Sequence, residues 1–230
     1  MFEGFQQRSF DFLWELKLNN ERSWFLDHKQ EFEDVLNRPL HALAEEVTNG
    51  LRERFPTRDF QIHVSRIYRD ARRLFGKGPY FDSMWFTIEE GSSRERRPRL
   101  HFHIDPGGYS HGLNYWDAPP IYAEAFRRTL DTDPQGFQEL IRSLPDREHS
   151  YLDGEEYRRP KRDLGALLNP WYNRKTLNFG YEDYFGDLIY EPFFPSKLTA
   201  AYAELLPLYD YLREIYLRTV PQDREKGVSG

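Results

Sequence analysis

Residues 99–108 read RLHFHIDPGG, and this stretch decides the fold. Leu100, Phe102 and Ile104 alternate with Arg99, His101, His103 and Asp105, the period of two of a strand with one face in a core. Pro106-Gly107-Gly108 then ends the run as a turn. Upstream, Phe60, Ile62 and Val64 alternate in the same way, as do Met84, Phe86 and Ile88. Downstream, Tyr109 to Trp116 supplies a fourth strand. Consecutive strands with short connections predict a central, mostly antiparallel sheet of about four strands.

Helical spacing flanks this sheet on both sides. Phe5, Ser9, Phe12, Leu13 and Leu16 form one face, and Asn19-Asn20 interrupts it, with Asn20 as the N-cap of the next helix. From Trp24 to Leu51 the apolar spacing is again helical. Pro39 sits inside that stretch, which predicts two helices or one kinked there, with Pro39 at a first-turn position. Two short helices are expected over 121–130 and 134–144. Residues 145–195 are rich in Tyr, Pro, Asp and Asn, with helical turns expected near 164–168 and 184–189. Ser196 is placed to cap a long C-terminal helix kinked at Pro207. The fold class is α+β. Residues 1–220 are expected to form a single domain, and 221–230 a disordered tail.

The 230 residues carry a formal net charge of -6 and no cysteine. Without cysteine there is no disulfide framework, thiolate zinc site or Cys nucleophile. The acidic balance argues against general affinity for nucleic acid or membrane surfaces. The N-terminus is too polar for a signal peptide, and no apolar run reaches transmembrane length. A soluble, cytoplasmic protein is expected.

Against this acidic background, residues 66–82 read RIYRDARRLFGKGPYFD. The strand begun at Phe60 would carry Arg66 and Tyr68 into the core, while Ile67 falls out of phase. A β-bulge near Ser65–Arg66 resolves the conflict and re-aims side chains. Arg66, Arg69 and Arg72 then converge on an anion as guanidinium forks. Lys77, within Gly76-Lys77-Gly78, adds an ammonium and backbone N–H groups, with Tyr80 beside them. The run lacks P-loop spacing. Asp70 lies among the arginines, so a structural Arg–Asp network explains the same residues without a ligand.

The polar face of the 99–105 strand offers a second chemistry. His101 and His103 point the same way, which suits proton transfer or metal ligation with Asp105 as a third group. A solvated sheet face explains the same pattern. The tyrosines and tryptophan at 151, 157, 171, 172, 181 and 184 line a pocket or fill a core.

Four segments together resemble the family of conserved proteins known as domain of unknown function 2461. They are FDFLWELKLNNERSWFLDHKQEFEDVLNRPL at 10–40, RIYRDARRLFGKGPY, HFHIDPGG and LLPLYDYLREI near the end. The resemblance spans roughly residues 2–216. It implies the fold outline and the choice of segments, and no reaction, cofactor or partner. This chain has Gly76 where the family pattern has an acidic residue, and Phe81 where it has a lysine.

Three functional readings stand on the sequence. The leading one is a small anionic ligand, phosphate or carboxylate, held by Arg66, Arg69, Asp70, Arg72, Lys77 and Tyr80, with His101 and His103 for acid–base catalysis. The second is a non-catalytic interaction module with a structural Arg–Asp network. The third is a metal-dependent hydrolase on His101, His103 and Asp105. No cofactor, oligomeric state or substrate is legible.

Overall fold

The computed structural model describes residues 1–70, 72, 78–91, 96–145 and 149–228, with side chains through 219. Helices α1 (Gln7–Leu18), α2 (Arg22–Asp27), α3 (Lys29–Phe32) and α4 (Arg38–Arg54) precede strands β1 (Phe60–Val64), β2 (Met84–Glu90), β3 (Arg99–Asp105) and β4 (Gly108–Tyr115). Then come α5 (Pro120–Thr132), α6 (Pro134–Ser143), β5 (Ser150–Asp153), α7 (Asn169–Tyr172), β6 (Leu177–Glu182) and α8 (Phe194–Val228).

The sheet has six strands in the order β1-β2-β3-β4-β6-β5, which corrects the expected four. The four expected strands stand consecutively, and β6 and β5 extend them. Both added strands lie in the stretch read as turns and loop. β5 is only four residues long, whereas β6 does alternate, Leu177, Phe179 and Tyr181 against Asn178, Gly180 and Glu182, a signal passed over among the turn-forming residues around it.

The chain divides into two compact units. The first comprises 1–91, 101–111 and 182–201. Its core centres on Phe102, which stacks on Phe86 at 5.3 Å and Phe5 at 6.3 Å, with Tyr109 at 5.9 Å and Phe194 at 6.2 Å. These contacts put Phe86, Phe102 and Tyr109 on one sheet face. By alternation Thr87, Glu89, His101 and His103 take the other. Between α3 and α4 the helix widens into a π-turn, Glu33–Asn37, one residue short of Pro39 in the first turn of α4. Pro39 has no N–H for the Val35 carbonyl four residues back. The buried Ser9 hydroxyl of α1 donates to that carbonyl at 2.6 Å instead.

The second unit comprises 92–100, 112–181 and 202–230. An aromatic chain runs Tyr115–Tyr122–Phe126–Phe137–Trp171–Phe179, with successive centroids 4.5–6.4 Å apart. The Tyr122 hydroxyl donates to Leu212 of α8. Trp171, Tyr172 and Tyr181 are buried, so the core reading of these aromatics holds for them, whereas Tyr184 is exposed. A Cβ on Gly112 would collide with the backbone at Phe179 and Gly180, so only glycine lets the chain pass there. α8 begins at Phe194. Ser196 therefore lies inside it, donating to Phe193 rather than capping, and the helix runs through Pro207 to Val228. No helix among the described residues is long and apolar enough to cross a membrane.

Candidate functional site

β1 pairs with β2 in a register that sets Val64 opposite Phe86, and the Ser65 N–H donates to Trp85 O at 2.8 Å. The pairing resumes at the bridge Tyr68–Tyr80, flanked by hydrogen bonds from Arg69 N to Pro79 O and from Phe81 N to Ile67 O. Only Arg66 and Ile67 separate the two pairings on the outgoing arm, against Phe81 to Met84 on the return. The expected phase break is present, and the extra residues sit on the return arm. The Ser65 hydroxyl accepts the Trp85 N–H at 2.9 Å and completes the ladder at the break.

After the break, Ser65 and Ile67 are buried while Arg66, Tyr68, Asp70 and Arg72 are exposed. Arg69 points the other way. Its Nε donates to Tyr80 O at 2.6 Å, its Nη2 lies 3.4 Å from Asp82, and its guanidinium covers the Phe81 ring at 4.4 Å. The arginines therefore divide between two sides of the arm. Arg69 is a brace, Arg66 faces solvent, and Arg72 pairs with Asp70 at 3.2 Å. Lys77 lies outside the described residues.

Asn20 closes the base of the arm. Its Oδ1 accepts the Tyr80 N–H and its Nδ2 donates to the Tyr80 carbonyl, both at 3.0 Å. Asn20 is thus not the N-cap of α2, where Glu21 stands without a side-chain capping bond. A Cβ on Gly78 would collide with Asn20, so the glycine makes room for this amide. Tyr80 itself is buried, stacked on Phe25 at 4.2 Å, and burial raises its pKa. The half-exposed Tyr68 ring leans edge-on against Phe25 at 5.7 Å.

The two histidines differ in environment. His101 is buried, and burial, with smaller contributions from His111 and His103, pushes its pKa down to about 3. It is neutral at ordinary pH. His103 is half-buried. Burial lowers its pKa, and Asp105 and Asp82 pull it back up. The same Asp82 that pairs with Arg69 therefore acts on His103, which links the arm to the histidine face. The cavity beside His103, about 220 Å³, is lined by Asp105, Ser110, Glu182 and Asp183. Three carboxylates there oppose an anion. Two of them are also occupied structurally: Asp105 accepts the Gly107 N–H and Asp183 the Tyr109 N–H. Arg99 pairs with Asp117 at 3.5 Å. Among the described residues no three His, Asp or Glu side chains are grouped to hold a metal ion.

Reading the sequence missed Asn20 as a partner of this arm, whereas Asp82 is one of the acids near the arginines in sequence and a candidate for their ion-pair network. Asn20 lies sixty residues from Tyr80, and only the paired Asn-Asn and Gly-x-Gly-Pro-Tyr segments hint that they meet.

The family model for conserved hypothetical proteins, DUF2461, matches residues 8–211. The chain belongs to this family. The match contains the first three quoted segments and the braced arm of this DUF2461 protein. No match to the chain was found among curated proteins or solved structures.

Proposed function

We propose that the DUF2461 chain binds a small anionic group, phosphate or carboxylate, at the outer side of the arm. Arg66 and Arg72 serve as the cationic contacts beside Tyr68. The supporting observation is the alternation along 66–72: Arg69 turns inward and is consumed by Tyr80, Asp82 and Phe81, while Arg66, Tyr68 and Arg72 face out. The fixed backbone at Asn20 and Tyr80 preorganises that edge. His101, buried and neutral, takes no part in this binding. His103 is the remaining candidate for proton transfer, and it faces an acidic cavity rather than the arginines' outer edge.

Thermal shift with inorganic phosphate and with citrate tests the reading. The wild type should be stabilised, and Arg66→Ala/Arg72→Ala should lose that stabilisation while keeping its Tm without ligand. If neither anion shifts the wild type, the reading falls. The interaction-module reading, favoured by the internal Arg69–Asp82 brace, then takes its place.

A further inference from the structure

A second basic segment, Arg158-Arg159-Pro160-Lys161-Arg162, lies in the other unit and plays no part in the arm. Its backbone is held in place. Asn173 Oδ1 accepts the Lys161 N–H at 2.7 Å, Asn173 Nδ2 donates to Arg162 O at 3.1 Å, and the Tyr157 N–H donates to Asn173 O at 3.0 Å. Pro160 fixes a further backbone angle. At the base of the segment, Arg174 pairs with Glu156 at 2.8 Å, and Lys175 pairs with Glu155.

The cations at the outer end of the segment are treated differently. Arg158, Arg159 and Lys161 are exposed, and among the described residues none of them meets a carboxylate partner. Arg127 of α5 and Lys161 both lie over the Tyr157 ring, at 4.8 and 4.7 Å from its centroid, and Arg127 also donates to the Tyr157 hydroxyl. Among the described residues Arg162 alone in the segment has a carboxylate partner, Asp131 at 2.7 Å. A fold that pins like charges together and pairs only those at the margins leaves repulsion that an external anion relieves. Because the Tyr157 ring already carries three cations, with Lys175 at 5.8 Å as the third, it is not a platform for a nucleobase, so recognition rests on charge and on guanidinium forks.

We propose that this loop is a binding site for adjacent phosphate groups, with Arg158, Arg159 and Lys161 as contacts and Arg127 as a fixed neighbour on Tyr157. Linked phosphates, rather than a single one, match several cations spread along a rigid loop. Such groups come from a polyphosphate chain or from a phosphodiester backbone.

Isothermal titration of the full chain at low salt tests the site, with orthophosphate, inorganic tripolyphosphate and a short oligothymidylate as probes. Tripolyphosphate should bind, and Arg158→Ala/Arg159→Ala should weaken it about tenfold or more while leaving the Tm unchanged. Lys161→Ala should weaken it by less. Asn173→Ala, which frees the backbone and keeps the charge, should weaken it too. Tighter binding of the oligonucleotide than of tripolyphosphate assigns the phosphodiester source, and the reverse assigns polyphosphate. Equal binding of orthophosphate, no binding by the wild type, or unchanged binding by the double variant overturns the proposal. If only Arg66→Ala/Arg72→Ala removes tripolyphosphate binding, the loop is not the site and the arm is.

Discussion

The two arginine-rich segments, 66–72 and 158–162, look alike in composition and are used in opposite ways. In the first, the central guanidinium is turned inward and spent on a carbonyl, a carboxylate and a ring. In the second, an asparagine holds the backbone, and the Arg158 and Arg159 guanidiniums stay in solvent while Arg162 pairs with Asp131. A basic run is thus not a binding site by composition. What decides is whether the strand phase buries its charges beside carboxylates or a side-chain clamp presents them outward.

The contrast can be broken by experiment. The largest effect is expected from Gly78→Ala, whose methyl group meets Asn20. Overpacking of this kind costs about 1–3 kcal/mol, and the lost Asn20–Tyr80 bonds add to it. Chemical denaturation should show the loss, and a neutral result would refute the clamp. Arg69→Ala should cost about 2 kcal/mol, since Tyr80 O and Asp82 each lose a charge-assisted partner. Arg69→Lys should recover only part, because an ammonium cannot reproduce the fork and ring contact.

Acid sharpens the contrast next. His101 and His111 of the first unit are both held neutral by burial, with pKa values of about 3. The unfolded chain takes up protons near pH 6.5 while the folded chain does not. Stability is therefore complete above pH 6.5 and falls between 6.5 and 3, by about 1.4 kcal/mol per pH unit for each histidine. His101→Gln should flatten that limb in urea titrations at stepped pH. The segment 158–162 contains no histidine. Asn173→Ala should cost about 1 kcal/mol, the value of its backbone bonds. Smallest of all, Arg158→Ala/Arg159→Ala should stay within about 0.5 kcal/mol of wild type, as surface charges do. A large loss there would show that this segment, like the arm, is scaffold.

Much of the fold was legible in the residues themselves. The apolar alternation in 60–64, 84–88 and 100–104 gave three strands, and Ile67 falling out of phase marked the break where the arm begins. The site was less legible, because its bonds are long in sequence. Nothing local says that Asn20 will grip Tyr80, and proximity in sequence does not pick Asp82 over Asp70, Glu89 or Glu90 as the partner of Arg69. The 101–105 polar face read as solvent-facing because alternation reports which side a residue takes and not what covers it, and His101 proved buried. The strand β5 escaped because it is short, and β6 because its alternation of Leu177, Phe179 and Tyr181 with polar residues is brief and lies among turn-forming residues.

The hydrogen bond from Ser9 to Val35 has an evolutionary consequence. The hydroxyl matters because Pro39 leaves that carbonyl without its helical donor, and Pro39 is tolerated because the hydroxyl is there. Neither residue is fully interpretable alone. Among relatives the two positions should vary as a pair: a chain that replaces the proline with a residue bearing an N–H is free to lose the serine, and one that loses the serine first leaves a buried acceptor bare.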